Sequence, residues 1–263
     1  MDLNNLKIIK KDFGMDFESI IVLPLGDLHI GSFFDEVLFD KFVKWVLSQP
    51  NIFVVITGDV IEMVTKNSKG GIYEVLRPKQ QKEIAIKVLR PLAEADRIIA
   101  YVDGNHEHRV SKDTDEFVGE YICTMLGIPS VYDPDGVYMF LSCGYDSSAG
   151  KSNRLIYSGY IMHGYGGGRR IGAKFNNNED LAKIAFADFY ITGHGHEQGV
   201  FPKGYAIPDY NKKKLQFRKR QHVMAGSFLQ WGGYSQRGGF SLSVLGSPYL
   251  VLNGRERDIK VVS

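Results

Sequence analysis

Four times along this chain an apolar, largely β-branched run stops at a turn that carries a potential metal ligand. Ile20 to Leu25 precedes Asp27, Ile52 to Thr57 precedes Asp59, Ile98 to Val102 precedes Asn105, and Phe189 to Thr192 precedes His194. Runs of this length and composition read as buried strands. A more mixed run, Leu155 to Met162, stands in the same relation to His163. Between the first three runs the pattern is helical: Phe34 to Leu47 spaces Val37, Leu38, Phe42, Trp45 and Val46 as one face, and Gln80 to Leu92 does so with Ile84, Val88 and Leu89. Strand, helix, strand, helix, strand is a βαβαβ start, and such sheets collect ligands beyond the carboxyl ends of their strands. The pattern therefore predicts that five polar segments meet at one edge of a sheet.

Those segments are, in order, Asp27-Leu28-His29, Gly58-Asp59, Gly104-Asn105-His106-Glu107, His163-Gly164 and Gly193-His194-Gly195-His196. They contain five of the seven histidines; only His108 and His222 fall outside, and both read as surface or strand residues rather than ligands. Carboxylate, imidazole and amide oxygen without cysteine form a borderline-hard donor set, suited to Mn, Fe or Zn in a catalytic site rather than to a sulfur-rich structural zinc. Hydrolysis of a phosphate ester needs a nucleophile from water, neutralised phosphoryl oxygens and help for the leaving group. Two ions about 3.5–4 Å apart supply most of this.

In these residues the chain resembles the calcineurin-like metallophosphoesterases, whose pattern is D-x-H, GD, GNH-[DE], H and GHxH in this order. The match runs from about residue 20 to 230. The resemblance implies a four-layer α/β/β/α sandwich of two mixed sheets flanked by helices, with the motifs on loops at one edge. It implies one metal on Asp27, His29, Asp59 and His196, and a second on Asp59, Asn105, His163 and His194, with Asp59 shared. It further implies attack by a metal-bridging hydroxide, His106 as the group that stabilises the transition state and protonates the leaving oxygen, and Glu107 as the residue that orients His106 or a ligand. The commonest form of the last motif has threonine between the histidines, where this chain has Gly195.

Outside the motifs, Arg169 and Arg170 follow His163 closely enough to reach phosphate oxygens in bidentate fashion, or to form a solvated basic loop. Lys212, Lys213, Lys214, Arg218, Lys219 and Arg220 lie within residues 212–220. They could attract nucleic acid, or guard an edge strand against aggregation. Phe228, Trp231 and Tyr234, set among glycines, suit stacking on a nucleobase or an apolar contact. After residue 197 short strands dominate, among them Gly199 to Tyr205, Leu215 to Ala225 and Phe240 to Leu245. Asn253-Gly254 joins two closing strands in a hairpin, expected to complete a second sheet.

At 263 residues and 44% apolar, with no linker-like stretch, residues 1–263 read as one domain. A net charge of +2 excludes a globally basic nucleic-acid binder, so any such surface is local. Cys123 and Cys143 offer neither a disulfide framework nor a metal spacing, which suits a reducing compartment. No signal-peptide core opens the chain and no run approaches ~18 apolar residues, so a cytoplasmic protein without a membrane partner is expected. The function expected is a dinuclear-metal phosphoester hydrolase, favoured as a phosphodiesterase acting on nucleic acid or nucleotides, with Mn²⁺ as activating ion and Fe, Zn, Co or Ni able to replace it. A phosphomonoesterase and a metal-bound scaffold with little turnover are the alternatives.

Overall fold

The structure is a computed structural model that describes residues 6–65, 68, 76–148, 153–166, 168, 170–232, 236 and 242–263. The elements in chain order begin with β1 (Lys7–Asp12), β2 (Ser19–Leu25), α1 (Glu36–Ser48), β3 (Ile52–Ile56), α2 (Pro78–Glu94) and β4 (Ile98–Val102). Next come α3 (Asn105–Thr114), α4 (Val118–Leu126), β5 (Tyr132–Asp133), β6 (Val137–Tyr145), β7 (Arg154–Met162) and α5 (Ile171–Asp180). The chain closes with β8 (Phe189–Thr192), β9 (Gly199–Asp209), β10 (Lys214–Met224), β11 (Tyr249–Asn253) and β12 (Ile259–Val262).

Two six-stranded mixed sheets result, ordered β12-β11-β2-β3-β4-β5 and β1-β6-β7-β8-β10-β9. β3 shows why they stack. All five of its side chains are buried, and they alternate as a strand's must: Ile52, Val54 and Ile56 pack among the helices α1, α2 and α4, while Phe53 and Val55 face the second sheet. The second sheet answers with Val137, Met139 and Leu141 of β6, Tyr157 and Ile161 of β7, and Phe189 and Ile191 of β8. Its outer face is thinly covered, by a small cluster in which Leu181 and Ala187 meet Tyr160 and Tyr190. The layers are therefore α/β/β/α, with a thick helical layer on one side and little more than α5 on the other. No described helix is long and apolar enough to cross a membrane.

Three details differ from the sequence reading. In α1 the buried residues are Phe39, Val43 and Val46, while Val37 and Trp45 are exposed, because the face turned to the sheet is offset from the stripe that counting apolar residues selects. The closing hairpin joins the first sheet, with β11 antiparallel to β2, rather than completing the second. β11 ends at Asn253 and β12 begins at Ile259, which leaves residues 254–258 as the turn, and the Asn253 carboxamide accepts from the Arg255 and Glu256 amides instead of sitting in a two-residue corner. The strand expected over Phe240 to Leu245 falls partly outside the described residues; 242–244 are not strand, and Leu245 makes one isolated bridge to Ser227.

Candidate metal centre

Strand register brings the five segments to one level. Leu25 pairs with Ile56, Ile56 with Tyr101, and Thr192 with both Met162 and Met224, so each motif leaves its sheet at the same edge. Backbone bonds then tie the loops together: the Asp27 amide donates to the Gly58 carbonyl at 3.0 Å, His29 to Asp59 at 3.0 Å, and Gly193 to His163 at 2.9 Å. Among the described residues nine non-glycine residues have positive φ, and five of them are Asp27, His29, Asp59, His194 and His196. Such conformations cost energy and persist where the surroundings impose them, typically at functional sites. The loops also approach closely. A Cβ on Gly104 would lie 2.1 Å from Asp59 Oδ1, which is why the residue before Asn105 has no side chain.

The side chains converge in two adjoining groups. In the first, His196 Nε2 is 3.2 Å from Asp27 Oδ1 and 3.0 Å from His29 Nε2. In the second, Asn105 Oδ1 is 3.1 Å from His163 Nε2 and 2.7 Å from His194 Nδ1, and Asp59 Oδ2 is 3.3 Å from His163 Nε2. Asp59 Oδ2 stands between the groups, 3.9 Å from His29 Nε2 and 3.8 Å from His106 Nε2.

The outward nitrogens fix the tautomers. His163 Nδ1 donates to the Thr57 carbonyl at 2.7 Å and His194 Nε2 to the Gly166 carbonyl at 2.8 Å, so each turns its other nitrogen, a lone pair, into the cluster. His29 Nδ1 meets the Glu62 carboxylate at 2.8 Å, leaving Nε2 inward. An imidazole held by a carbonyl or carboxylate on its far side is the usual support of a metal ligand. Asp27 Oδ1, fully buried, has no hydrogen-bond partner. Once their protons are displaced, these inward nitrogens and carboxylate oxygens form a converging ligand set that fits divalent cations, and its nitrogen and oxygen donors fit Mn, Fe or Zn.

The charges carry the same message. Burial opposes ionisation of Asp59, but His163, His106 and His29 outweigh it and hold the carboxyl well below its ordinary range; Asp27 is likewise lowered, against its burial, chiefly by His196. Burial also opposes charge on His29 and His163. For His29 the Glu62 carboxylate, then Asp59 and Asp27, prevail and raise it to about 9; for His163 Asp59 prevails and raises it to about 10. Without cations, protons occupy these nitrogens. His106 is different: burial dominates and pushes it down to about 4. Its Nδ1 donates to the Glu62 carbonyl at 2.6 Å, and the Arg109 guanidinium lies alongside the ring with Nη2 3.0 Å from Nε2.

Glu107 sits one layer out. Its carboxylate accepts from the backbone amides of Asp59, Gly104 and Ile61 at 3.0, 2.9 and 3.1 Å, so it supports the Asp59 loop; no hydrogen bond or ion pair to the His106 ring is present among the described residues. Arg170 is exposed at the N-cap of α5, and Arg169 lies outside the described residues. Phe228 is core, in edge-on contact with Phe39, whereas Trp231 is partly exposed and Tyr234 lies outside the described residues. His108 is half-buried on α3. His222 is buried in β10, stacked between Tyr190 and Phe201 and bonded to Asn178 at 2.9 Å.

The six basic residues project elsewhere. β10 runs parallel to β8 and reaches the site level only at Met224, so Lys214 lies ten residues back, about 33 Å away at roughly 3.3 Å per residue. Lys219 is paired with Asp258 at 3.2 Å, and the Arg220 guanidinium lies over the rings of Phe186 and Tyr205. The residues sequence reasoning missed are Glu62 and Arg109. Both lie a few positions past a motif, in a loop and in the first turns of a helix, and neither spacing nor periodicity marks them.

No protein-family profile matches the chain, and no curated protein matches its sequence. Among solved structures it is similar to vacuolar protein sorting 29 of Cryptosporidium parvum, at 14% identity and TM-score 0.41, covering 94% of this chain and 97% of that one. It is also similar to Yfce, a phosphoesterase from E. coli, at 15% identity and TM-score 0.40, covering 92% and 98%. A metallophosphoesterase from Sphaerobacter thermophilus aligns at 13% identity and TM-score 0.38, over 93% and 88%.

Proposed function

We propose that this chain is a calcineurin-like metallophosphoesterase that hydrolyses phosphoesters with two divalent ions. Asp27, His29 and His196 hold one ion, Asn105, His163 and His194 hold the other, and Asp59 is shared. The observation that carries this reading is the inward set of His29 Nε2, His163 Nε2 and His194 Nδ1, each imidazole fixed from behind by Glu62, Thr57 or Gly166. When bound, such ions polarise phosphoryl oxygens and make a nucleophile of water at neutral pH.

The chain's own residues supply the rest. The Glu62 carbonyl holds the Nδ1 proton of His106, so Nε2 faces the cluster. Anionic phosphate beside it favours the protonated ring, and Nε2 then delivers the proton to the leaving oxygen. Arg109, whose Nη2 lies 3.0 Å from that nitrogen, helps burial hold the free ring neutral and must turn its charge to the phosphate for Nε2 to take up a proton. Glu107 keeps Asp59 in place through its backbone amides.

Within this class a phosphodiester of nucleic acid or a nucleotide is the favoured substrate. Phe33 and Trp231, both partly exposed, stand on loops joined where the Gln230 amide donates to the Phe33 carbonyl, and they offer apolar surface to a second ester arm. Lys212, Lys213, Lys214 and Arg218 on the distant hairpin suit a remote anchor for a polymer rather than a contact to the scissile phosphate. Mn²⁺ is the favoured activator, and the buried free thiols of Cys123 and Cys143 suit the cytoplasm.

The test is turnover by the Mn²⁺-loaded protein, wild type and His106→Ala, on a bis-nitrophenyl phosphodiester, the matching monoester and a short single-stranded oligonucleotide. Diester or oligonucleotide cleavage lost in the variant is the expected result. Turnover of the monoester alone makes the protein a phosphatase, and silence on all three with metal bound favours a scaffold or an enzyme of narrow substrate range.

A further inference from the structure

The loop that carries His194 and His196 has an unusual local problem. Both histidines have positive φ, 65° and 55°, and the residue between them, Gly195, has no side chain; His194 is held by its amide on Asp27 Oδ2 at 3.0 Å and its ring on the Gly166 carbonyl, but the Gly195 peptide needs a support of its own. Two strained residues flanking a glycine would relax unless held from outside. The hold is visible on α5. Asn178, fully buried, locks this helix to the ends of β8 and β10 by donating to Thr192 Oγ1 at 2.8 Å and to the Val223 carbonyl at 2.9 Å. Lys174, one turn earlier on the same face, reaches over the loop: its Nζ donates to the Gly195 carbonyl at 2.8 Å and to Glu197 Oε1 at 3.0 Å. The stem of the side chain covers the glycine so closely that a Cβ at position 195 would lie 3.3 Å from Lys174 Cδ.

We infer that Lys174 is a positioning residue for the metal centre: it fixes the spacing of His194 and His196 by clamping the Gly195 peptide from outside, with Glu197 anchoring its charge. The glycine and the lysine form one device, because a side chain at position 195 would crowd the lysine stem and push it off the loop by a few tenths of an ångström. Lys174 touches neither substrate nor ion, and its effect travels through the peptide that joins the two ligands. The inference rests on the assignment of His194 and His196 as ligands, and one of its three readouts, hydrogen exchange, needs no metal.

The experiment compares wild type, Lys174→Met and Lys174→Arg by calorimetric Co²⁺ titration and by the visible spectrum of the Co²⁺-loaded proteins. Hydrogen exchange at residues 194–197 is followed in the metal-free proteins. Removing support behind a metal ligand typically weakens binding about 10–100-fold. Lys174→Met should show a loss of that size, an altered Co²⁺ band and faster exchange at 194–197, with the melting temperature little changed, and Lys174→Arg should restore most of each. Binding within twofold of wild type in Lys174→Met, or unchanged exchange, overturns the inference, as does an arginine variant no better than methionine. Should Lys174→Met not fold, Glu197→Gln is read the same way. If wild type binds ions yet cleaves no ester, the proposed function fails while the titration still decides the role of Lys174; if it binds none, the exchange data decide it.

Discussion

Glu62 does two jobs with one residue: its carboxylate holds His29 and its carbonyl holds His106, 2.8 and 2.6 Å away. Glu62→Gln keeps the size and the carbonyl but removes the charge that fixes His29, so metal affinity should fall about 10–100-fold while the fold persists; a calorimetric titration measures it. His106→Ala leaves every candidate ligand in place, and loss of a general acid should reduce turnover about 10²–10⁴-fold without unfolding the protein, as initial rates beside a melting curve will show. The histidine protons give a pH prediction with a definite sign. In the metal-free protein His29 and His163 are raised from 6.5 to about 9 and about 10, so they bind protons that the unfolded chain has released. The stability they contribute is fully present below pH 6.5 and is lost as pH rises through 9 and 10. Melting temperature in a chelator should therefore fall from pH 6.5 to 10. Metal must displace those same protons, so ion affinity should rise over the range where the metal-free protein weakens. A metal-free protein whose stability rises with pH over that interval would falsify the assignment of these two raised groups. Position in a motif made the seven candidate ligands legible in the sequence. Glu62 was not, because a carboxylate three residues beyond Asp59 in an irregular loop has no spacing to betray it.

At the level of elements, the site depends on how the first turn of α3 is joined to the loop after β3. Glu107 accepts the backbone amides of Asp59, Ile61 and Gly104, and the His106 amide donates to Asp59 Oδ1 at 2.9 Å, so the two elements exchange bonds in both directions. Glu107→Ala strands three buried amides, each costing about 1–3 kcal/mol when left unpaired. The variant should lose stability and metal together, which a melting curve with and without Mn²⁺ will distinguish from the activity-only loss of His106→Ala. The strands that aim the motifs were readable from their apolar runs because burial on both faces leaves little else for such residues to do. Helix faces were less so: α1 buries Phe39 and Val43 while exposing Val37, since the helix is rotated by what the sheet offers it rather than by its own apolar count. The role of Glu107 was half legible. Its place after Asn105 and His106 marked it as support, but only the fold brings the Asp59 and Ile61 amides within its reach.

Across the whole molecule the two sheets put chemistry and charge at opposite ends. The motifs gather where β8 and β10 end, whereas β10 pairs with β8 only from Gln221 to Met224, and its earlier residues continue with β9 alone as a two-stranded arm beyond the sheet. Pro202 and Pro208 break the hydrogen-bonding edge of β9, which guards the arm against strand addition. Tyr210 and Phe217, 84% and 77% exposed, share it with the lysines. Basic spacing in the sequence counted six cations on one segment, but it could not know that Lys219 answers Asp258 or that Arg220 lies over the rings of Phe186 and Tyr205. Nor could it place the tip of the arm, Lys214, about 33 Å from the end of β10 at the site, since that distance depends on which end of β10 meets β8. The separation yields a prediction that a basic active-site cleft would not. Changing Lys212, Lys213 and Lys214 together to glutamate should leave turnover of a small nitrophenyl diester unchanged, because no ligand or neighbour of the metal centre moves. The same variant should bind a long single-stranded oligonucleotide more weakly and with a shallower salt dependence, by about 2 in the log–log slope if three phosphate contacts are lost. Equal salt slopes for the two proteins, measured by fluorescence anisotropy, would reduce the arm to a soluble sheet edge and leave the choice of substrate to the loops around Phe33 and Trp231.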